Sequence, residues 1–477
     1  MNPVLLIVGV PAVSGLLLAF VPHYRTAAQG NILASALTLA ASLSLFFSRP
    51  ATTTFILIDD FNIYLIALTA FVAFTTSLFS GRYIVHEVEI GRLDARKLRF
   101  YHAMYQGFVF TMLMVLTANN LGVMWVALEG ATLTTVLMVG LYRTHQALEA
   151  AWKYFILCGV GIGLALFGTT LMYLAAQPVM GEGIAAMTWS ALLPRVGGFS
   201  PAILNLAFVF LLVGYGTKVG LAPLHAWLPD AHAEGPTPLS AVLSGLLLNV
   251  ALYIVLRFKI LLAANAHALA PGPLMITMGL SSLLLAVFML YRRRDIKRLF
   301  AYSSIEHMGI ITFAFGMGGP LANFAGLLHM TMHSLTKSAI FFAVGHISQI
   351  KGTQKIADIR GLTSSQPLLG WALVIGVVAI AGLPPFGVFM SEFLVLTTTF
   401  GRQPALALLV LFGLVVGFAA LVRHLQALAF GPGTGGEKAS SLALSPLFVH
   451  FGLVLVAGLY LPGPLVSWFQ TVARLLG

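Results

Sequence analysis

The chain has 477 residues, 59% of them hydrophobic and only 9% charged, with 26 Lys and Arg against 15 Asp and Glu and a formal net charge of +11. A soluble domain carries about 25% charged residues, so this composition excludes a water-facing globule, and apolar runs from end to end mark an all-α polytopic membrane protein. The basic excess lies in short loops and is read as a topology signal rather than a nucleic-acid surface. The single cysteine, Cys158, excludes an intramolecular disulfide and a thiolate-held iron–sulfur cluster within the chain.

A helix crossing about 30 Å of hydrocarbon needs roughly 20 apolar residues. That ruler predicts fourteen spans, at 3–21, 29–47, 61–80, 104–118, 121–141, 152–176, 202–227, 238–261, 272–291, 300–318, 321–349, 368–400, 404–430 and 446–470. The first begins MNPVLLIVGVPAV without a positive n-region and is read as a span rather than a signal peptide. GVGIG at 159–163 lies inside the sixth span, where glycines serve close helix packing rather than nucleotide binding. Pro223, soon after Lys218, predicts a break in the seventh span, and Gly382-Leu383-Pro384-Pro385 a break in the twelfth. Gly431 to Glu437 reads as a flexible loop. Alternate loops, taken together with the span ends that flank them, hold 18 Lys and Arg on one side and 6 on the other, with Lys218 and Lys337 left deep inside the spans. The positive-inside rule makes the rich side cytoplasmic and places both termini outside, in a prokaryotic cell membrane.

Charges inside spans are expensive, about 2.5–3.5 kcal/mol each on the insertion scale, and usually serve a pathway. Glu129, Lys218, Lys337 and Glu392 are of this kind; the alternative is a set of ion pairs that only hold helices together. Glu129 and Lys218 are expected to form a switchable pair, the lysine releasing its proton when the pair opens. His329, His333 and Lys337 are spaced four apart and share one helix face. They read as polar residues facing the bundle interior or, preferentially, as a proton wire ending in Lys337 and directed toward Glu392, because imidazole accepts at one nitrogen and donates from the other. A zinc site is disfavoured because the segment brings no carboxylate or thiolate to the histidines. Secondary candidates are His225 and His232, in a Pro- and Gly-broken segment that is either a capped turn or a proton entrance, and Glu306, placed near the cytoplasmic end of its span. No Walker motif, Rossmann fingerprint or nucleophile with its base is present, so no catalytic residue and no cofactor are expected in the chain itself.

Together GYGTKVGLAPLHAWLPDAHAEGPTPLSA, RRRDIKRLFAYSSIEHMG, HSLTKSAIFF and AGLPPFGVFMSEF resemble the antiporter-like proton-conducting subunits of respiratory complex I, cation/proton antiporter complexes and membrane-bound group 4 nickel–iron hydrogenases. VALEGATL, SSIEHMG and GLPPFGVFMSEF are most similar to the hydrogenase-4 branch. The resemblance implies N-terminal helices over 1–103, two inverted five-helix repeats over 104–261 and 272–430, broken helices 7 and 12, and a last helix in 446–477. It also implies roles: Glu129 and Lys218 as coupling pair, His329, His333 and Lys337 as relay, and Glu392 as exit. Many relatives carry lysine where this chain has Asn249, which cannot ionise, so water would have to bridge a gap there. The implied partners are other membrane and peripheral subunits, which would carry the nickel–iron and iron–sulfur centres. A complex I subunit, a subunit of an uptake or antiport system, and a purely structural anchor are the alternatives.

Overall fold

In hydrocarbon every backbone N–H and C=O must bond inside the chain, which is why apolar runs of this length become helices. The computed structural model describes residues 3–433 and 444–477, so the part of the predicted loop from Thr434 to Glu437 lies outside the described residues. Helices occupy all fourteen predicted segments. In chain order they are α1 (Pro3–Leu18), α2 (Tyr24–Leu43), α3 (Asp60–Glu89), α4 (Ala95–Thr117), α5 (Leu121–Val139), α6 (His145–Met180), the short α7 (Trp189–Leu192), α8 (Pro201–Val219), α9 (Trp227–Glu234) and α10 (Thr237–Val242). A π-helical stretch, Leu243–Leu247, joins α10 to α11 (Leu248–Ala263). There follow α12 (Gly272–Leu290), α13 (Ile296–Met317), α14 (Gly319–Lys351), the short α15 (Leu362–Ser365), α16 (Pro367–Ile380), α17 (Gly387–Arg402), α18 (Pro404–Ala429), α19 (Ser445–Leu459) and α20 (Gly463–Leu475).

By length and composition alone eight of these helices qualify as membrane spans, or nine with the pair α19 and α20, fewer than the fourteen predicted. Short helices such as α1 and α16 fall below the length, and α13 and α14 carry rows of buried polar side chains. The last predicted span departs most, because α19 and α20 meet at 81°. Pro462 and Gly463 interrupt the helix there, and α20 turns to lie over the bundle end. Trp468 Nε1 donates to the Asp60 carbonyl at 2.9 Å and Lys259 Nζ to the Leu476 carbonyl at 2.8 Å.

Both predicted breaks form. The helix α8 stops at Gly220, whose φ of +81° is a left-handed conformation that favours glycine. The second break separates α16 from α17, and a Cβ at Gly382 would overlap the Glu392 carboxylate, so the break makes room for that side chain. The two interrupted helices run in opposite directions. Asn265 ties the loop after α11 to the carbonyl of Phe199, just before α8, whereas α16 begins after the basic loop whose Ile356 N–H bonds the Arg294 carbonyl. The glycine expectation for the sixth span holds at Gly161, where a Cβ would stand 2.7 Å from Thr217 of α8. Among α3, α10, α13, α16, α17 and α19 runs α14, which places its polar face in the middle of the molecule.

Candidate ion pathway

Lys218 lies in the last turn of α8 and has no exposed surface. The carbonyl-rich end of a helix favours a cation, so the break in α8 gives the ammonium a place that a continuous helix would not. Its Nζ donates to the Thr132 hydroxyl of α5 and lies 5.2 Å from the centre of the Tyr154 ring. Tyr154 is fixed by stacking on Trp227 at 4.5 Å and by a 2.7 Å hydrogen bond with Thr135. Glu129 sits one helical turn before Thr132, and its Oε2 is buried without a hydrogen-bond partner. Glu129 and Lys218 therefore share one site but are not in direct contact; the Thr132 hydroxyl holds the lysine in place of the expected ion pair.

On α14, His329, His333 and Lys337 do share one buried face. Their order relative to Glu392 is the reverse of that expected. Lys337 Nζ donates to the Phe300 carbonyl of α13 at 2.9 Å, while His329, two turns away, is the residue that reaches the Glu392 side. The physical reason is the break before α17, which brings Ser391 and Glu392 against the other end of the row. His329 Nδ1 is 2.9 Å from Ser391 Oγ, and its Nε2 is 3.0 Å from Nδ1 of His307. His307 in turn stands 3.8 Å from Glu392 Oε1 and 5.7 Å, ring to ring, from His333. Among the described residues neither nitrogen of His333 has a hydrogen-bond partner, and His307 keeps Nε2 unpartnered. His329, His307 and Glu392 thus form a contiguous group in which the tautomer decides who donates, and His333 joins it through ring packing on His307 alone.

Between the two centres lies a seam of small polar groups. The Phe300 carbonyl also accepts from Ser304, whose hydroxyl is 2.7 Å from Ser244. Ser334 donates to the Gly245 carbonyl in the π-helical stretch. Asn249 donates to the Gly245 and Met330 carbonyls at 3.4 and 3.3 Å and leaves its own carbonyl oxygen unpartnered, so it faces this seam without a charge.

The secondary candidates divide. Among the described residues His232 is buried with both nitrogens unpartnered and lies flat on Phe341 at 4.8 Å, whereas His225 bonds the backbone at Pro223 within the break and keeps Nδ1 unpartnered. Glu306 is not near a span end as expected. The helix α13 starts at Ile296, which puts Glu306 in its middle, buried against the gap left by Gly417. Residues missed in the sequence are His307, Ser391 and Thr132, whose partners lie on other helices. For a metal, His307, His329 and Glu392 offer three ligand atoms within 4.8 Å of one another, so the carboxylate that the α14 motif lacked comes from α17.

A second kind of charge site closes the opposite end of α11. Arg257 meets Asp59 with nitrogen–oxygen distances of 2.7 and 2.8 Å. Burial opposes ionisation of Asp59, but the Arg257 guanidinium beside it and the bonds from Asn62 and Phe61 outweigh burial and hold its carboxyl below the usual carboxylate range.

Residues 118–417 match the family model described as NADH:quinone oxidoreductase/Mrp antiporter, TM. The chain is 60% identical over 466 residues, 98% of either chain, to the hydrogenase-4 component F homolog of Methylacidiphilum infernorum. Its fold is similar to a chain of the membrane-bound sulfane sulfur reductase, an archaeal respiratory membrane complex, with a TM-score of 0.87 over 100% of this chain and 98% of that one at 22% identity. It is similar as well to a chain of respiratory complex I from Thermus thermophilus, with a TM-score of 0.83 over the full length of both at 23% identity.

Proposed function

Because the chain belongs to the NADH:quinone oxidoreductase/Mrp antiporter membrane family, we propose that it is the proton-translocating subunit of a membrane-bound oxidoreductase complex of the hydrogenase-4 or formate-hydrogenlyase type. The observation that carries this reading is the buried row from Lys337 to Glu392, with His307 and His329 in hydrogen-bond contact at 3.0 Å. The 60% identity to a hydrogenase-4 component F homolog supports the hydrogenase assignment over a complex I or cation-antiport one.

In this reading redox chemistry in partner subunits moves Lys218 between its Thr132 hydroxyl and the unpartnered Oε2 of Glu129. Pairing with Glu129 holds the proton on the lysine, and opening of the pair releases it toward the seam. Lys337 then passes a proton to His333, and His307 and His329 hand it to Glu392, each ring accepting at one nitrogen and donating from the other. Water bridges the stretch beside Asn249. His225 and His232 stand near the broken end of α8 and supply the entrance. The nickel–iron and iron–sulfur centres belong to the partners, since one buried cysteine cannot ligate them. The basic loops face the cytoplasm and both termini lie outside.

Replacing Lys218 with Met is expected to abolish redox-driven proton uptake in vesicles containing the complex. Unchanged uptake would overturn the mechanism. Mass spectrometry of the purified complex decides the partner assignment: a hydrogenase large subunit supports it, and an NADH-oxidising module replaces it with complex I.

A further inference from the structure

A groove of about 720 Å³ opens between the basic-side ends of α4, α5 and α6, away from the buried row. Its rim is polar and cationic, with Arg96, Lys97 and Arg143, and its walls are apolar, with Leu133, Leu137, Trp152 and Phe155. All four wall residues are substantially exposed, which in this chain means exposed to lipid or to a partner. Leu133 and Arg143 are ten positions apart, so at about 1.5 Å per residue the groove runs some 15 Å from rim to floor. That is the hydrocarbon depth of one leaflet, half of about 30 Å.

The charges at the rim are not equivalent. Asp94 accepts from the Lys97 backbone N–H at 2.8 Å and lies 3.9 Å from the Lys97 ammonium, so these two largely answer each other. Arg96 and Arg143 make no direct ion pair among the described residues, Arg143 feeling Asp94 only at longer range, so the rim keeps the net charge of two guanidinium groups. A guanidinium binds a phosphate through two parallel N–H bonds. Trp152 supplies the amphipathic ring that favours the water–lipid boundary.

We propose that this groove is a binding site for one anionic phospholipid, its phosphate held by Arg96 and Arg143 and an acyl chain laid along Leu133 and Leu137 against Trp152 and Phe155. A membrane helix of a partner is the poorer occupant, because its own basic residues gather on the same side of the membrane and would meet this cationic rim. The site also has a place in the architecture. Leu133 adjoins Thr132, which holds Lys218, so the acyl chain braces the helix on which the first charge centre rests.

The test uses the full chain in its membrane complex, reconstituted with phosphatidylglycerol or phosphatidylcholine that carries a photoactivatable diazirine in one acyl chain. Adducts are mapped by mass spectrometry. Labelling at residues 133–155 is expected to be severalfold stronger with phosphatidylglycerol, and the double substitution Arg96→Gln and Arg143→Gln is expected to reduce it to the phosphatidylcholine level. Labelling of the exposed Leu408 and Phe412 on α18 stays unchanged and reports that the variant is folded. Equal labelling by the two lipids, or undiminished labelling in the double variant, would overturn the site. So would adducts confined to another polypeptide, which would assign the groove to a partner helix.

Discussion

Arg257 and Lys218 are both buried cations of one bundle, and they are held in opposite ways. Arg257 is locked: two bonds to Asp59, a third at 2.9 Å to the Tyr253 hydroxyl, and the rings of Phe61, Trp189 and Tyr253 around it at 4.7 to 5.2 Å. Lys218 has the Thr132 hydroxyl, the Cys158 thiol and a ring face, and Lys337 a carbonyl and the Phe300 ring. A guanidinium never gives up its proton in a protein, and a bidentate carboxylate fixes its position. An ammonium on neutral partners keeps both its position and its proton adjustable. The first arrangement is architecture at a helix end; the second is what a translocating site requires.

Four changes would break or sharpen this contrast. Lys337→Met is expected to abolish redox-driven proton uptake while thermal unfolding of the complex stays within about 1.5 kcal/mol of the parent, since Met matches the volume and the Phe300 carbonyl keeps its bond from Ser304. A large loss of stability would place Lys337 with Arg257. Asp59→Ala should do the reverse, destabilising the fold by about 3–5 kcal/mol by leaving Arg257 buried and unpaired, as read from denaturation midpoints. Thr132→Val removes the oxygen that holds Lys218 and is expected to slow uptake by about tenfold, equivalent to about 1.4 kcal/mol on the barrier. The smallest effect concerns acid. Because the Asp59 carboxyl is held below the usual range, the stability it contributes is fully present above that range and is lost as pH falls through its lowered value. Stability curves of the parent and of Asp59→Asn should therefore converge at acid pH, and parallel curves would remove the pair from the account.

How much of this was legible in the chain depends on where each partner lies. Pro384-Pro385 and Pro223 announce the breaks because proline acts on its own backbone. The row His329, His333, Lys337 is legible because helical spacing is local. Its direction was not, since the neighbour that fixes it, Ser391, is 62 residues away across a break. His307 is the single histidine of α13, its partners His329, His333 and Glu392 all lie on other helices, and only packing reveals it. The position of Glu306 was misjudged through a boundary, four residues too late at the start of α13. Arg257, counted with the outer loop charges, is a buried pair with a residue 198 positions earlier. The final bend between α19 and α20 was hidden by apolar residues that continue through Pro462.

The central claim is that a contiguous imidazole group, and not any buried histidine, carries the proton. His102 is the internal control. Like His307 it is buried, but it lies on α4 and its ring packs on Tyr101 at 5.2 Å rather than on another imidazole. Redox-driven proton uptake should be measured in vesicles containing the complex with His307→Asn or with His102→Asn. Uptake is expected to be lost with the first and retained with the second; uptake that survives His307→Asn, or that falls equally in both, would contradict a relay through His307.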